Sequence, residues 1–483
     1  MSLHPSHGRT RRRAAAVALC LLATPALAVA APAPTAPAAP ATKAGPAPTA
    51  KALKKGKNAG PGFDMPIQNF DLPNGLRVFV VEDHSTPSFN MTLLYDVGSR
   101  DEVQGRTGFA HLFEHMMFNG SRNVPEGAYA YYVDATGGAV NANTEHDRTN
   151  YYQTVPSNYL EGMLYLESNR MANLEITERA LDNEKSVVKE EVRQQQENSP
   201  YAKTLMLDWP SVAYSSWEYA HSMYGSMEDL SGAPVQAFVD FFKKYYVPNN
   251  ATLVICGDFD PKQARALVEK YYGPLKPGAE LPRGYPQESV QKEAVYREVQ
   301  DPLAPTPLAL ISFDIPAPQT ADHTALELLS AVLTSGASAR LTKLLVDDKK
   351  LASMVMLQPG FPWTTYGPSQ LVGLLIASKD TKLADLRAAF WAELERVKKD
   401  GVTAAEISRA RSKLYKQHVD TLGDTMFKAA QLATYESFFG GAEKFEGDLK
   451  RFDGVTAADL KRVANQYLGE ASSVTFDIVP GKT

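Results

Sequence analysis

Cysteine is nearly absent from this sequence. Its 483 residues include two cysteines, Cys20 and Cys256. So low a count excludes a disulfide framework and a zinc site built from thiolates. Cys256 stands in a strand-like apolar run, where we expect a buried structural thiol.

An excess of positive charge and long apolar runs are also missing. The net charge is -5 at pH 7, so the composition does not favour a nucleic-acid partner. Beyond the N-terminal segment, no stretch reaches the roughly 18 uninterrupted apolar residues of a transmembrane helix. With 44% hydrophobic residues, the composition is that of a globular protein, and the length allows two to four domains.

The N-terminal segment resembles a secretory signal. In residues 1–30, four arginines between positions 9 and 13 precede a short apolar run, and small residues then offer cleavage sites. Residues 31–62 are rich in alanine and proline and then in lysine, which predicts a spacer with little to bury. We therefore expect an exported protein, periplasmic or secreted, without a transmembrane helix once the signal is removed.

The rest of the chain repeats one order of elements. In each half a predicted helix ends at a glycine, Gly120 or Gly336, and a later helix with a tyrosine, Tyr246 or Tyr467, precedes a strand. The repeat predicts an α+β fold of two similar domains, each a mostly antiparallel sheet with helices packed on it. The predicted segments are a zinc-bearing domain at 63–273, a Pro/Gly-rich linker at 274–289 and a metal-free domain at 290–483.

Residues 108–120 predict a helix that binds a metal. His111 and His115 are four residues apart, and Glu114 lies three residues after His111, so all three lie on one side of a helix. The other residues are mostly apolar, so the helix is expected to be buried, where unpaired polar groups are costly. The order H-x-x-E-H inverts the H-E-x-x-H zinc motif. We therefore predict zinc bound by His111 and His115.

A catalytic zinc ion requires a third protein ligand. Helical segment 183–192 carries Glu184 and Glu191 two turns apart on one face. The candidates that the pattern leaves open are Glu190, Glu191, Glu145 and His146.

The second half of the chain provides an internal comparison. At an offset of 216 residues, His111, Glu114 and His115 correspond to Glu327, Ser330 and Ala331. The fold therefore does not require histidines at these positions, which favours a chemical role for them in the first half.

These features resemble the inverzincin metallopeptidases, the group of insulinase, pitrilysin and mitochondrial processing peptidase. In that family the third ligand is a glutamate 76 residues after the second histidine, and another glutamate lies seven residues before it. Here these positions are Glu191 and Glu184. The resemblance also covers segments 147–152 and 246–250 and the two-half layout, and so most of residues 65–483.

The resemblance implies a zinc-dependent endopeptidase, of the bacterial two-domain type, acting on peptides or small unfolded proteins. It implies one Zn²⁺ per chain, held by His111, His115 and Glu191. It also implies that Glu114 is the general base acting on a zinc-bound water and that Glu184 is a supporting carboxylate. The residues implied to pair with an extended peptide, on an edge strand, are Asn141, Ala142 and Asn143.

One departure from the family pattern predicts a partner. In family members that act alone, the second half carries an arginine and, seven residues later, a tyrosine, which both contact substrate. Here these positions are Val346 and Ser353. Paired subunits in the family divide the roles, so we predict that this chain is the zinc-bearing subunit of a heterodimer whose homologous partner supplies the arginine and tyrosine. A homodimer, or a monomer with relaxed substrate binding, is the weaker alternative.

Two alternative functions fit the same fold. The chain could be a non-catalytic assembly subunit, although the intact histidines and glutamates argue against this. It could also be a processing peptidase for one client protein, which the sequence does not separate from general peptide degradation.

Overall fold

The computed structural model describes residues 54–55 and 66–481. The predicted signal peptide and nearly all of the predicted spacer lie outside the described residues. The described residues all belong to one compact unit, Thr49–Thr483.

Two β-sheets form the framework of the described residues. The strands of the first sheet are Lys54–Lys55 (β1), Ile67–Asp71 (β2), Arg77–Glu82 (β3), Ser88–Tyr95 (β4), Ala139–Thr144 (β5), Thr149–Pro156 (β6) and Ala251–Gly257 (β7). The strands of the second sheet are Val295–Asp301 (β8), Leu308–Ile315 (β9), Ala352–Pro359 (β10), Ser369–Ala377 (β11) and Val474–Pro480 (β12).

Helices pack against these sheets. Those of the first half are Phe109–Met116 (α1), Ala128–Ala135 (α2), Leu160–Asn173 (α3), Glu178–Val192 (α4), Pro210–Ala213 (α5), Trp217–Ala220 (α6), Met227–Gly232 (α7), Val235–Tyr245 (α8) and Pro261–Tyr272 (α9). Those of the second half are Ala321–Thr334 (α10), Leu383–Asp400 (α11), Ala404–Leu422 (α12), Thr425–Phe438 (α13), Lys444–Gly447 (α14) and Ala457–Tyr467 (α15). None of the helices in the described ranges is long and apolar enough to cross a membrane.

The two sheets share one topology. The first has the order β1-β2-β3-β7-β4-β6-β5 and the second the order β10-β11-β9-β12-β8. Five strands are shared: β3 to β7 of the first sheet correspond in chain order to β8 to β12 of the second. In each set the last strand lies between the first two and pairs parallel with the first, β7 with β3 and β12 with β8. The other pairs that involve these ten shared strands are antiparallel. The predicted α+β fold with two similar, mostly antiparallel sheets is confirmed; the exact domain boundaries stay a prediction.

The local signals in the sequence explain several elements. The Asn74-Gly75 turn joins β2 and β3 as an antiparallel pair, and Gly75 adopts a φ of 87°, which favours glycine. Cys256 is fully buried in β7, as predicted.

The histidine helix is shorter than predicted. It covers Phe109–Met116 and does not reach Gly120. After Met116 the backbone tightens, because the N–H groups of Phe118 and Asn119 donate to carbonyl groups three residues earlier. Gly120 then passes close to the backbone of Glu126, where a side chain would not fit.

Each half contributes an element to the other half's sheet. Helix α13 packs on β4 and β7, and its Leu432 and Ala433 join a fully buried cluster with Val254 of the first sheet. In the opposite direction, the indole N–H of Trp209 donates to Ser312 Oγ of β9 at 2.9 Å. The first sheet therefore depends on α13 of the second half for burial of apolar residues, and the second sheet is bonded to Trp209 of the first half.

The packing of α13 on the first sheet can be tested at Leu432, which is 0% exposed. We expect Leu432→Ala to lower the free energy of unfolding by about 2–5 kcal/mol, because it removes packing from the first sheet. Urea unfolding followed by circular dichroism measures the change. Leu303→Ala is the control, since Leu303 is 45% exposed, and a similar loss in both variants would contradict the packing described here.

Candidate metal centre

Helices α1 and α4 bring three donor groups together. His115 Nε2 lies 3.4 Å from His111 Nε2 and 3.0 Å from Glu191 Oε2. His111 Nε2 lies 3.7 Å from the same Glu191 oxygen. The spacing of four residues on α1 places both imidazoles on one face, and α4 crosses that face with Glu191.

This donor set fits a zinc ion in both chemistry and spacing. Two neutral imidazoles and a carboxylate are ordinary zinc ligands. A tetrahedral ion with bonds of about 2.0–2.1 Å places neighbouring ligand atoms about 3.3–3.4 Å apart. The three distances of 3.0, 3.4 and 3.7 Å scatter around that value. His111, His115 and Glu191 are also the only group of three or more potential ligands that converges in the described part of the chain.

The electrostatics of the site keep His111 neutral. Burial, with a smaller contribution from His115, lowers the pKa of His111 to about 3. The neutral imidazole therefore presents one nitrogen lone pair over the whole physiological range. For His115, burial lowers the pKa, but the hydrogen bond and charge of Glu191 and the charge of Glu114 outweigh it, so the net shift is upward.

Glu114 lies beside the donor set and is not part of it. Burial raises the pKa of Glu114 to about 7, and the charge of His115 and the Thr144 side chain partly oppose the rise. Thr144 is the last residue of β5, and α1 packs against this strand. The Glu114 carboxyl group therefore stands between the donor set and the edge strand.

Glu184 lies two turns before Glu191 on α4. Its Oε2 is 3.7 Å from His115 Nδ1, and its Oε1 accepts a hydrogen bond from Asn119 Nδ2 at 3.1 Å. A carboxylate on this side of the ring is suited to hold the orientation of His115. Asn119 holds Glu184 in turn.

Buried charges hold both ends of α1. At the N-terminus, Glu102 accepts the N–H groups of Gly108 and Ala110, each at 2.9 Å. At the C-terminus, Arg170 Nη1 donates to the carbonyl of Met117 at 3.3 Å. A negative group at the N-terminus and a positive group at the C-terminus both oppose the helix dipole. The sequence pattern did not reveal either residue, because Glu102 lies seven residues before the helix and Arg170 more than fifty residues after it.

Residues 217–230 cover the N-terminus of α1. Gly108 and Gly225 touch so closely that neither position admits a side chain, and both have positive φ angles. The ring of Tyr224 stacks edge-on against His111 with centroids 4.8 Å apart. His221 Nε2 lies 3.2 Å from Glu102 Oε2. No local pattern in the sequence reveals a role for this segment, because its contacts with α1 and Glu102 join residues far apart in the chain.

The other candidate ligands are engaged elsewhere. Glu190 is exposed and pairs with Arg193 at 2.6 Å. Glu145 pairs with Arg148 at 2.9 Å. His146 is buried with its Nδ1 at 2.8 Å from Ser99 Oγ.

Asn141, Ala142 and Asn143 lie on β5 at the edge of the first sheet. Among the described residues, β5 pairs only with β6. The N–H of Glu145 donates to the carbonyl of Arg148 across the turn. Because hydrogen-bonded pairs alternate with non-bonded pairs along an antiparallel ladder, the N–H of Ala142 points away from β6. That N–H is covered by its neighbour, Asn141 Oδ1, at 2.8 Å.

The second half carries an ion pair where the first half has the donor set. Glu327 on α10 pairs with Arg451 at 2.6 Å. Val346 is half-buried against the second core, and Ser353 is exposed on β10. Neither of these two positions carries a charged or aromatic group.

Comparison with known proteins identifies the family. Residues 77–225 match the family described as "Insulinase (Peptidase family M16)", and residues 233–414 match "Peptidase M16 inactive domain". The chain belongs to the insulinase family of peptidases, M16. The resemblance drawn from the sequence is thereby confirmed.

Members of the M16 family match nearly the whole folded part of the chain. The protein named zinc protease PqqE of Helicobacter pylori is 29% identical over 420 residues, which cover 86% of this chain and 93% of that protein. The crystal structure of a protease from Helicobacter pylori superposes with a TM-score of 0.80 at 28% identity, covering 86% of this chain and 100% of that one.

A longer M16 protein shares the fold. The periplasmic protease PqqL from Escherichia coli superposes with a TM-score of 0.73 at 19% identity. The match covers 88% of this chain and 48% of PqqL. The present chain therefore corresponds in fold to about half of that protein.

The cap on α1 can be tested at Glu102. We expect Glu102→Gln to lower the free energy of unfolding by about 1–3 kcal/mol, because the buried N–H groups lose a charged acceptor. Chemical denaturation measures the loss. Glu228→Gln is the matched control, since Glu228 is an exposed residue in the first turn of α7; equal effects of the two substitutions would mean that Glu102 does not stabilise α1.

Proposed function

We propose that this chain is a zinc-dependent endopeptidase that hydrolyses peptides or small unfolded proteins. The observation that carries the proposal is the convergence of His111, His115 and Glu191 within 4.8 Å of one another, with Glu114 beside them. The similarity to zinc protease PqqE supports the same chemistry.

The residues divide the proposed reaction between them. His111, His115 and Glu191 would hold one Zn²⁺. When bound, zinc lowers the pKa of a coordinated water and polarises the scissile carbonyl group. The Glu114 carboxylate takes a proton from the attacking water and passes it to the amine that leaves. Glu184 keeps His115 in the orientation that binding requires.

The edge strand β5 is proposed to hold the substrate. A peptide in extended conformation would add to the sheet beside Ala142, whose N–H faces away from β6. Asn141 would release that N–H when the peptide arrives. Because β5 ends at Thr144, next to Glu114, a peptide on this edge would pass the metal centre.

The subunit arrangement is a further part of the proposal. Val346 and Ser353 stand where single-chain relatives carry the arginine and tyrosine that contact substrate. The match covers 48% of PqqL, so that protein is about twice as long as the region that this chain matches. We infer that a homologous subunit supplies the missing pair and that the present chain is the zinc-bearing member of a heterodimer; a homodimer is less favoured.

Export to the periplasm or beyond completes the proposal. It rests on the signal-like residues 1–30. A relative of the same fold, PqqL, is described as a periplasmic protease. A non-catalytic assembly subunit is the rival function, and the complete set of donors with Glu114 beside it argues against that alternative.

The role of Glu114 is tested by Glu114→Gln. We expect this variant to bind about one zinc per chain, as the wild type does, and to lose at least about 100-fold in kcat, because it lacks the proton acceptor. Zinc content is measured by elemental analysis, and cleavage with a quenched fluorescent peptide. His115→Ala should lose both zinc and activity.

Glu190→Gln is the matched control, because Glu190 is exposed on the same helix as Glu191. It should keep full activity. Normal cleavage by Glu114→Gln would refute the assigned role, and a wild-type chain that neither binds zinc nor cleaves peptides would favour the assembly subunit.

The subunit proposal predicts low activity for the isolated chain. We expect kcat/KM to rise at least tenfold on addition of a homologous subunit that has the arginine and tyrosine, because substrate contacts are then complete. Peptide cleavage is measured at increasing partner concentration, and the complex by mass photometry. A partner in which both residues are replaced by alanine should bind without stimulating. Full activity of the isolated monomer would rule the arrangement out.

A further inference from the structure

The turn that follows the edge strand meets a loop from the second half. This turn, residues 145–148, joins β5 to β6, and the facing loop, residues 360–368, joins β10 to β11 in the second sheet. Asp147 is 0% exposed, and its Oδ2 accepts the backbone N–H of Tyr366 at 2.6 Å. Its Oδ1 also accepts the hydroxyl of Tyr219 at 3.0 Å. The corresponding hairpins of the two halves are thus joined at a buried carboxylate.

Arg148 extends this contact back to the edge strand. Its Nε donates to the hydroxyl oxygen of Tyr366 at 3.0 Å, and its Nη1 donates to Asn143 Oδ1 at 3.0 Å. Its Nη2 donates to Glu145 Oε1 at 2.9 Å. The guanidinium group is planar and rigid, so an acceptor that holds one nitrogen also fixes the directions of the other two. Tyr366 is therefore linked to Asn143 through the side chain of Arg148.

Tyr366 is itself firmly held. Its ring is 5% exposed and stacks on Phe438 of α13 with centroids 4.1 Å apart and an interplanar angle of 14°. Phe439 meets the same ring edge-on at 5.4 Å. The hydroxyl group that accepts from Arg148 is therefore fixed by the second half, independently of β5.

We propose that Tyr366 is a positioning residue for the peptide-binding edge: through Arg148 it fixes Asn143 and so the conformation of β5. The proposal rests on the proposed function, in which β5 binds an extended peptide. It gives the second half, which lacks the donor set, a role in substrate binding within the same chain. Tyr366 does not touch the substrate, so its effect is on peptide binding and not on the chemical step.

The variant Tyr366→Phe tests this role. Phenylalanine keeps the stacking on Phe438 and the backbone bond to Asp147, but Arg148 Nε loses its acceptor. We expect KM to rise by about tenfold, as when a charged donor loses a buried acceptor, with kcat within about twofold and zinc content unchanged. Arg148→Lys keeps the positive charge but lacks the planar guanidinium group with its several donors, so it should raise KM in the same way.

A second measurement requires no activity. Hydrogen exchange of the amides in 140–144 should be faster in Tyr366→Phe than in the wild type, whereas exchange in the second sheet should not change. The matched control is Tyr467→Phe, because the Tyr467 hydroxyl also bonds a charged side chain, donating to Asp322 Oδ2 at 2.7 Å, but on α10. This control should leave both KM and exchange in β5 as in the wild type.

A double-variant cycle tests the route through Arg148. If Tyr366 and Asn143 act through one side chain, Asn143→Ala combined with Tyr366→Phe should raise KM by less than the product of the two single effects. Unchanged exchange in β5, an unchanged KM in Tyr366→Phe, or fully multiplicative effects would each overturn the inference. A wild-type chain that neither binds zinc nor cleaves peptides would overturn the proposed function, and the exchange measurement would still decide whether Tyr366 holds β5.

Discussion

The site depends on keeping one short helix in place. Helix α1 has eight residues, too few to be stable by itself in water, yet it carries both histidines and Glu114. Its stability must come from tertiary contacts. Glu102 and Arg170 hold its two ends, and the hydroxyl of Tyr151 donates to the carbonyl of Phe113 in the middle at 3.1 Å. These contacts place the imidazoles before any ligand arrives.

The same requirement explains how the surrounding residues are arranged. Glu184 and Glu191 lie two turns apart on one face of α4, and both approach His115 of α1. The edge strand lies on the other side, and Glu114 stands between them. Residues far apart in the sequence are therefore brought together between the edge strand β5 and the donor set.

The two halves have diverged in chemistry and kept their fold. Both sheets have the same strand order, but Glu327 and Arg451 form an ion pair where the first half has the donor set. The second half still contributes, because α13 covers the first sheet and Tyr366 reaches the turn after β5. The second half therefore supports the first, although it carries no such donor set at the corresponding positions.

The sequence by itself determined the chemistry that rests on local spacing: the histidine pair, Glu114, the paired glutamates of α4 and the repeat that produces two similar sheets. Helical and strand periods are short, so a few residues suffice to record them. The helical pattern left Glu190 and Glu191 open, and the family spacing then favoured Glu191. Only the tertiary structure decided where α1 ends and which residues, Glu102, Arg170 and Tyr366, contact the site or its edge strand. Those facts depend on contacts between residues distant in the chain, and a burial or hydrogen bond of that kind leaves no periodic pattern in the sequence.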